Sequence, residues 1–119
     1  MFGGYTKAVW SSYAGYGSDS TAFIFSLRRY GTSYSEKYTI KYPQFAINNN
    51  RYYGPAFGDG IDIYVRDNSN IYTKSYANFG DSYNLPPGYT HGESNTQSYL
   101  AGSYSSWLTT EIEVFQIQI

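Results

Sequence analysis

Apolar and polar residues alternate in short runs along most of this chain, and clusters of Gly, Asn, Asp and Ser separate the runs. Alternation with period two marks strands, and those four residues are the usual turn formers. Ala22-Phe23-Ile24-Phe25-Ser26-Leu27 places Phe23, Phe25 and Leu27 on one face. Ala22 and Ile24 make the other face apolar too, so the pattern predicts a strand buried on both sides, leaving for solvent at Arg28-Arg29. Ile61-Asp62-Ile63-Tyr64-Val65-Arg66 follows the tight turn Gly58-Asp59-Gly60 and reads as half-buried, with Ile61, Ile63 and Val65 inward and Asp62, Tyr64 and Arg66 outward.

Further strands are expected at Tyr38–Tyr42, stopped by Pro43, at Phe45–Ile47, at Ser75–Phe79 and at Ser98–Tyr104. Thr109–Ile119 is the strongest run after Ile61, with a phase shift between Val114 and Phe115 that suggests a bulge. Thr6–Ser12 suits a short helical turn, with Thr6 as N-cap and Val9 and Trp10 inward. Gly15–Ser20 and Tyr53-Gly54-Pro55 read as turns, and Pro87–Ser98 as a polar surface loop. Six or seven short strands with such turns describe a mostly β fold: an antiparallel two-sheet β-sandwich with one or two short helices.

Composition supports that reading. Of 119 residues, 21% are aromatic, 16 of them Tyr and 7 Phe, while only 14% are charged. The tyrosines fit sandwich packing, with rings buried and hydroxyls finding partners, and they equally fit a recognition surface. Eight basic against nine acidic residues leave a net charge of −1, which offers no electrostatic case for nucleic acid or an anionic membrane. No apolar run reaches the ~20 residues of a membrane helix, so insertion is not expected and a cytoplasmic location is the default. The absence of cysteine excludes disulfides, thiolate metal sites and thiol nucleophiles.

Candidate chemistry is sparse. His91, the only histidine, stands between Thr90 and Gly92 without a nucleophile-elbow pattern, and reads as a solvated loop residue. Asp59, Asp62 and Asp67-Asn68-Ser69-Asn70 supply hard oxygens for calcium, but Ile71 breaks the EF-hand pattern and turn roles explain these residues. Glu111 and Glu113 share one strand face about 7 Å apart, a spacing glycosidases use, yet nothing supplies a cleft. The residues predict no catalytic centre, no metal and no cofactor.

Phe2-Gly3-Gly4-Tyr5 with Trp10, followed by the Phe23-Ile24-Phe25-Ser26-Leu27 strand, resembles the TLDc domain family. The resemblance continues at Tyr53-Gly54-Pro55, at Phe57-Gly58-Asp59-Gly60 with Asp62, at Asn78-Phe79-Gly80-Asp81 with Leu85, and at Glu113-Val114-Phe115. Asp81 departs from the family's usual Asn. The family's domain ordinarily starts before FGxY, so residues 1–119 resemble a single TLDc-like domain lacking its N-terminal portion, about the C-terminal two-thirds.

The resemblance implies a sandwich in which Gly3, Gly4 and Gly58 are turn positions and Trp10, Phe23, Phe25, Phe79 and Phe115 are core. Gly80 and Asp62 complete the motifs, and Glu113 is the candidate interaction residue. It implies a non-catalytic interaction or regulatory module, protecting against oxidative stress and binding subunits of the vacuolar proton-pumping ATPase. Missing sheet members would leave open edges, which favour a homo-oligomer. A self-assembling structural protein and a carbohydrate-binding sandwich are the alternatives.

Overall fold

The computed structural model describes residues 1–29, 32–51, 53–73, 75–103, 105–109 and 111–117. Two antiparallel sheets carry the fold. The smaller has the order β1 (Phe2–Tyr5), β3 (Phe23–Arg29), β4 (Thr32–Thr39). The larger runs β2 (Gly15–Gly17), β5 (Ile47–Asn49), β6 (Tyr53–Phe57), β7 (Ile63–Arg66), β8 (Ser75–Tyr76), β9 (Ser105–Trp107). A 3-10 turn at Pro43–Phe45 and one short helix, α1 (Ser94–Gln97), complete the described elements. The mostly β, two-sheet architecture is therefore the one the alternating runs predict.

The core lies between the sheets. Ile24 and Tyr38 from the small sheet meet Ile47, Phe57 and Ile63 from the large one, with Phe79, Tyr83, Tyr99 and Leu100 closing the layer. Rings pack edge to face here, as their quadrupoles favour: Tyr38 and Phe79 centroids are 5.0 Å apart, and Tyr38 and Tyr99 are 5.8 Å apart. The Tyr38 hydroxyl donates to the Tyr99 hydroxyl at 2.8 Å, and the Tyr83 hydroxyl donates to the Ala46 carbonyl at 2.6 Å. A second cluster of Ala56, Ile61 and Tyr64, backed by Tyr53 and Tyr76, is buried separately.

The strand at Phe23 corrects the expectation of burial on both sides. Ala22, Ile24 and Ser26 face inward at 0–2% exposure, whereas Phe23 and Phe25 are half-buried and Leu27 is 43% exposed. The small residues face inward because the opposite sheet fills that layer: a Cβ on Gly4 would stand 2.5 Å from the Phe57 ring. Gly3 and Gly4 are accordingly not turn residues but members of β1, where rings lean over the bare backbone. Phe25 covers Gly3, leaving 2.8 Å to a hypothetical Cβ. The Arg28 and Arg29 side chains lie outside the described residues.

Other boundaries move for local reasons. Thr6–Ser12 is not helical, because Asp19 accepts from the Thr6 hydroxyl and the Lys7 amide, and Asn49 accepts from the Ser11 amide. Trp10, 43% exposed, only touches the core through an edge-on contact with Phe57, and Val9 is exposed. The Gly15 and Tyr53-Gly54-Pro55 segments, which read as turns, are strands, with Gly54 and Pro55 falling where the β6–β7 register shifts. β4 stops at Thr39, and Ile40 makes a lone bridge to Tyr83. Residues 43–45 wind before β5 begins at Ile47, and Ser75–Phe79 keeps ladder pairing only at Ser75–Tyr76. The polar loop contains α1, residues 98–103 turn so that Tyr99 and Leu100 enter the core, and the strand expected there starts at Ser105. Tyr104 lies outside the described residues.

The largest correction is at the end of the chain. Residues 111–117 form no strand, and Val114 and Phe115 are 86% and 75% exposed. A strand exists only where a neighbour takes up its amides and carbonyls, and among the described residues this segment has none. Phe115 is thus a surface ring rather than core, and Thr110, Gln118 and Ile119 lie outside the described residues.

Candidate interaction surface

Three strands build an aromatic face on the outside of the small sheet. Alternation sends Gly3 and Tyr5 of β1 and Phe23, Phe25 and Leu27 of β3 to this side, and pairs Tyr5 with Phe23 and Gly3 with Phe25. The Tyr5 and Phe23 rings stack at 5.0 Å, Phe23 and Phe25 follow at 6.4 Å, and the Lys37 ammonium sits 4.2 Å over Phe23. A cation placed so is attracted by the ring's negative face. Contiguous apolar surface half-exposed on a small domain is the usual mark of a contact site.

Beside β7 of the large sheet, one buried carboxylate fixes the turn region. The alternation predicts an outward Asp62, but it is fully buried, because the 79–83 segment wraps it with backbone amides. Gly80 donates at 2.9 Å and Tyr83 at 3.2 Å to one oxygen, and Ser82 donates at 2.9 Å to the other. Gly58 (φ 91°) and Gly80 (φ 105°) bend the two segments into reach with backbone angles that suit glycine. Ile61 also takes a positive φ of 61°, unusual for a β-branched residue and strained. Burial pushes the Asp62 carboxyl up to about 7 against the lowering pull of the three amides, and the Asp81 charge adds to the rise.

Asp19 shows the opposite balance. Burial works against its charge, but donors from the Thr21 hydroxyl, the Lys7 and Thr21 amides and the Thr6 hydroxyl outweigh it and hold the carboxyl at about 2. These bonds run from 2.6 to 2.9 Å. Sequence reasoning missed Asp19; only the tie between two distant loops makes it visible.

The remaining candidates are scattered. Phe79 is fully buried, while Glu111 and Glu113 stand exposed on the 111–117 segment; Glu111 lines an open hollow with Arg66, Asp67 and Thr109, and Glu113 is not part of that lining. His91 is exposed in its loop. Asp59 accepts from the Tyr16 hydroxyl, and Asp62 is saturated by amides. Among the described residues, no group of three or more His, Asp or Glu side chains is gathered as a metal would require. No described helix is long and apolar enough to cross a membrane.

A model of the TLDc domain family matches residues 1–118, essentially the whole chain. The chain belongs to that family. No match is found among curated proteins or solved structures. TLDc domains are generally non-catalytic regulatory or interaction modules. In this TLDc domain Gly58, Asp62 and Gly80 meet at the buried node, Phe79 packs in the core, and Gly3, Phe23 and Phe25 form the outer face, while Trp10, Glu113 and Phe115 stand exposed elsewhere.

Proposed function

We propose that this TLDc domain acts in the cytoplasm by binding subunits of the vacuolar proton-pumping ATPase, and that its role in oxidative-stress protection runs through that contact. The outer face of Tyr5, Phe23, Phe25 and Leu27 is the contact surface, and the observation that carries the reading is its half-exposed aromatic packing. Hot spots at interfaces are enriched in aromatic residues that fill a partner's pocket. Glu113, exposed and acidic on the 111–117 segment, is a separate polar contact in this reading.

Capture of the pump's soluble subunits by the purified domain tests this. Phe25→Lys is expected to abolish capture, since it places a charge in the middle of the face. Glu113→Ala is expected to weaken it by about tenfold or less, the effect of one contact of up to about 1.4 kcal/mol. Undiminished capture by Phe25→Lys would remove the outer face from the interface, and no capture by the unaltered domain would remove the partner.

A further inference from the structure

We propose that residues 80–82 are a proton-operated clasp between the two sheets, closed while the Asp62 carboxyl holds a proton and released when it ionises. The clasp grips both sheets at once. On the large-sheet side, the Gly80 and Ser82 amides donate to Asp62. The Gly60 amide donates to the Asp81 carboxylate at 2.6 Å, and the Asp59 amide to the Ser82 hydroxyl at 2.9 Å. On the small-sheet side, the Ser82 carbonyl accepts from the Lys41 and Tyr42 amides at 2.8 and 3.2 Å. The Lys41 ammonium reaches the Gly80 carbonyl at 2.9 Å. Lys41 lies just past the end of β4, so whatever holds residues 80–82 also holds that end of the strand.

The clasp lifts without dissolving the core because its anchors flank it. Phe79 and Tyr83 are fully buried in the core, and the Tyr83 hydroxyl stays on the Ala46 carbonyl. Gly80, Asp81 and Ser82 between them bring no apolar side chain, so hydrogen bonds rather than hydrophobic burial keep them down. Gly80 supplies a hinge at one end, with a φ of 105° that suits glycine. The facing turn is under tension. Ile61, a β-branched residue held at a φ of 61°, keeps that angle only while its surroundings enforce it, and such strained positions serve as springs in two-state elements.

The trigger is a buried charge without a counter-charge. Among the described residues no cation bonds to Asp62; its partners are the three neutral amides of Gly80, Ser82 and Tyr83. The ionisable groups around it do not supply one. Asp81, on the clasp itself, adds a like charge, and burial keeps the neighbouring Tyr83 hydroxyl neutral. Asp59, in the preceding turn, accepts from the Tyr16 hydroxyl, and the Lys41 ammonium is engaged by the Gly80 carbonyl. Desolvation therefore leads, the Asp81 charge adds to it, and the carboxyl titrates near 7 despite the amides.

Lifting residues 80–82 lets water reach the carboxyl, which then titrates near its ordinary value of about 3.9. Between those two values opening releases one proton, so each pH unit makes it about tenfold easier. The device acts within the chain and needs no partner.

Amide exchange of the full chain, followed by NMR from pH 4 to pH 9 and corrected for intrinsic rates, is the test. Protection of the Gly80, Ser82 and Lys41 amides should fall about tenfold per unit up to pH about 7 and then level. At every pH these amides should exchange at least about tenfold faster than the slowest amides of β3, since opening is local rather than global. Asp62→Asn should flatten the profile. Asp81→Asn, which keeps an acceptor for the Gly60 amide and removes the like charge, should make the fall end at a lower pH. Direct observation of the Asp62 carboxyl carbon in the unaltered chain checks the trigger without any substitution. A carboxyl that titrates below pH about 5 would overturn the proposal. So would flat protection of Gly80 and Ser82 in the unaltered chain, or protection equal to that of the slowest β3 amides throughout, which would mean that residues 80–82 open only when the whole domain unfolds.

Discussion

Between the sheets, Ile24, Tyr38, Phe79 and Tyr83 are 0–3% exposed, and every buried hydroxyl named among them has a partner. On the outer face of the small sheet, Tyr5, Phe23 and Phe25 show the same ring-to-ring packing half in water. The two layers differ little in residue type; if anything the larger side chains of β3 lie outside. They differ in what stands opposite. The inner layer meets a second sheet, while the outer one, among the described residues, has Lys37 lying over Phe23. Hydrophobicity tells that a strand wants cover on both sides, and the topology decides which side receives it from within the chain. The uncovered side is then available for a partner.

Removing the inner layer's anchor should have the largest effect. Asp62→Ala strands three buried amide donors, each costing about 1–3 kcal/mol, so urea denaturation should show a loss of at least about 3 kcal/mol. A loss under about 1 kcal/mol would mean the 79–83 segment is held by packing alone.

The two buried carboxylates sharpen the contrast through pH. Unfolded, an aspartate titrates near about 3.9. Asp62 is raised to about 7, so its contribution is complete below pH about 4 and is lost as pH climbs through 7. Asp19 is lowered to about 2, so its contribution is present above pH about 4 and is lost as pH falls through 2. Stability measured at pH 5 and pH 8 should fall across that interval in the unaltered chain and stay level in Asp62→Asn. Asp19→Asn should keep the fall and flatten the acid limb instead.

Changes on the outer face should barely register in stability. Phe25→Ser removes a half-buried ring and should cost about 1 kcal/mol in the same denaturation experiment. A cost of about 3 kcal/mol or more, typical of a core phenylalanine, would show that this face is core after all and erase the comparison.

Much of this was legible in the sequence, and what was not has identifiable causes. Period-two alternation located β3 and β7, and the spaced aromatic and glycine motifs pointed to the TLDc family that matches residues 1–118. The inward face of β3 was misread because Phe outranks Ser in hydrophobicity, yet Ser26 fits where the sheets approach closely. β1, β2 and β6 were hidden by Gly and Pro, which suit turns in isolation but here admit rings or sit at a register shift. Asp62 looked like an outward residue because its three donors come from residues 80–83, a contact no local pattern encodes. The 111–117 run has genuine strand character, and the missing component is a neighbour rather than propensity.

Hydroxyl-radical footprinting of the domain, alone and with the pump's soluble subunits, addresses the outer face most directly. The account predicts that Tyr5, Phe23, Phe25 and Leu27 become protected on binding while exposed Val9 and Tyr13 do not change. Equal oxidation of those four residues in the free and bound domain would contradict it.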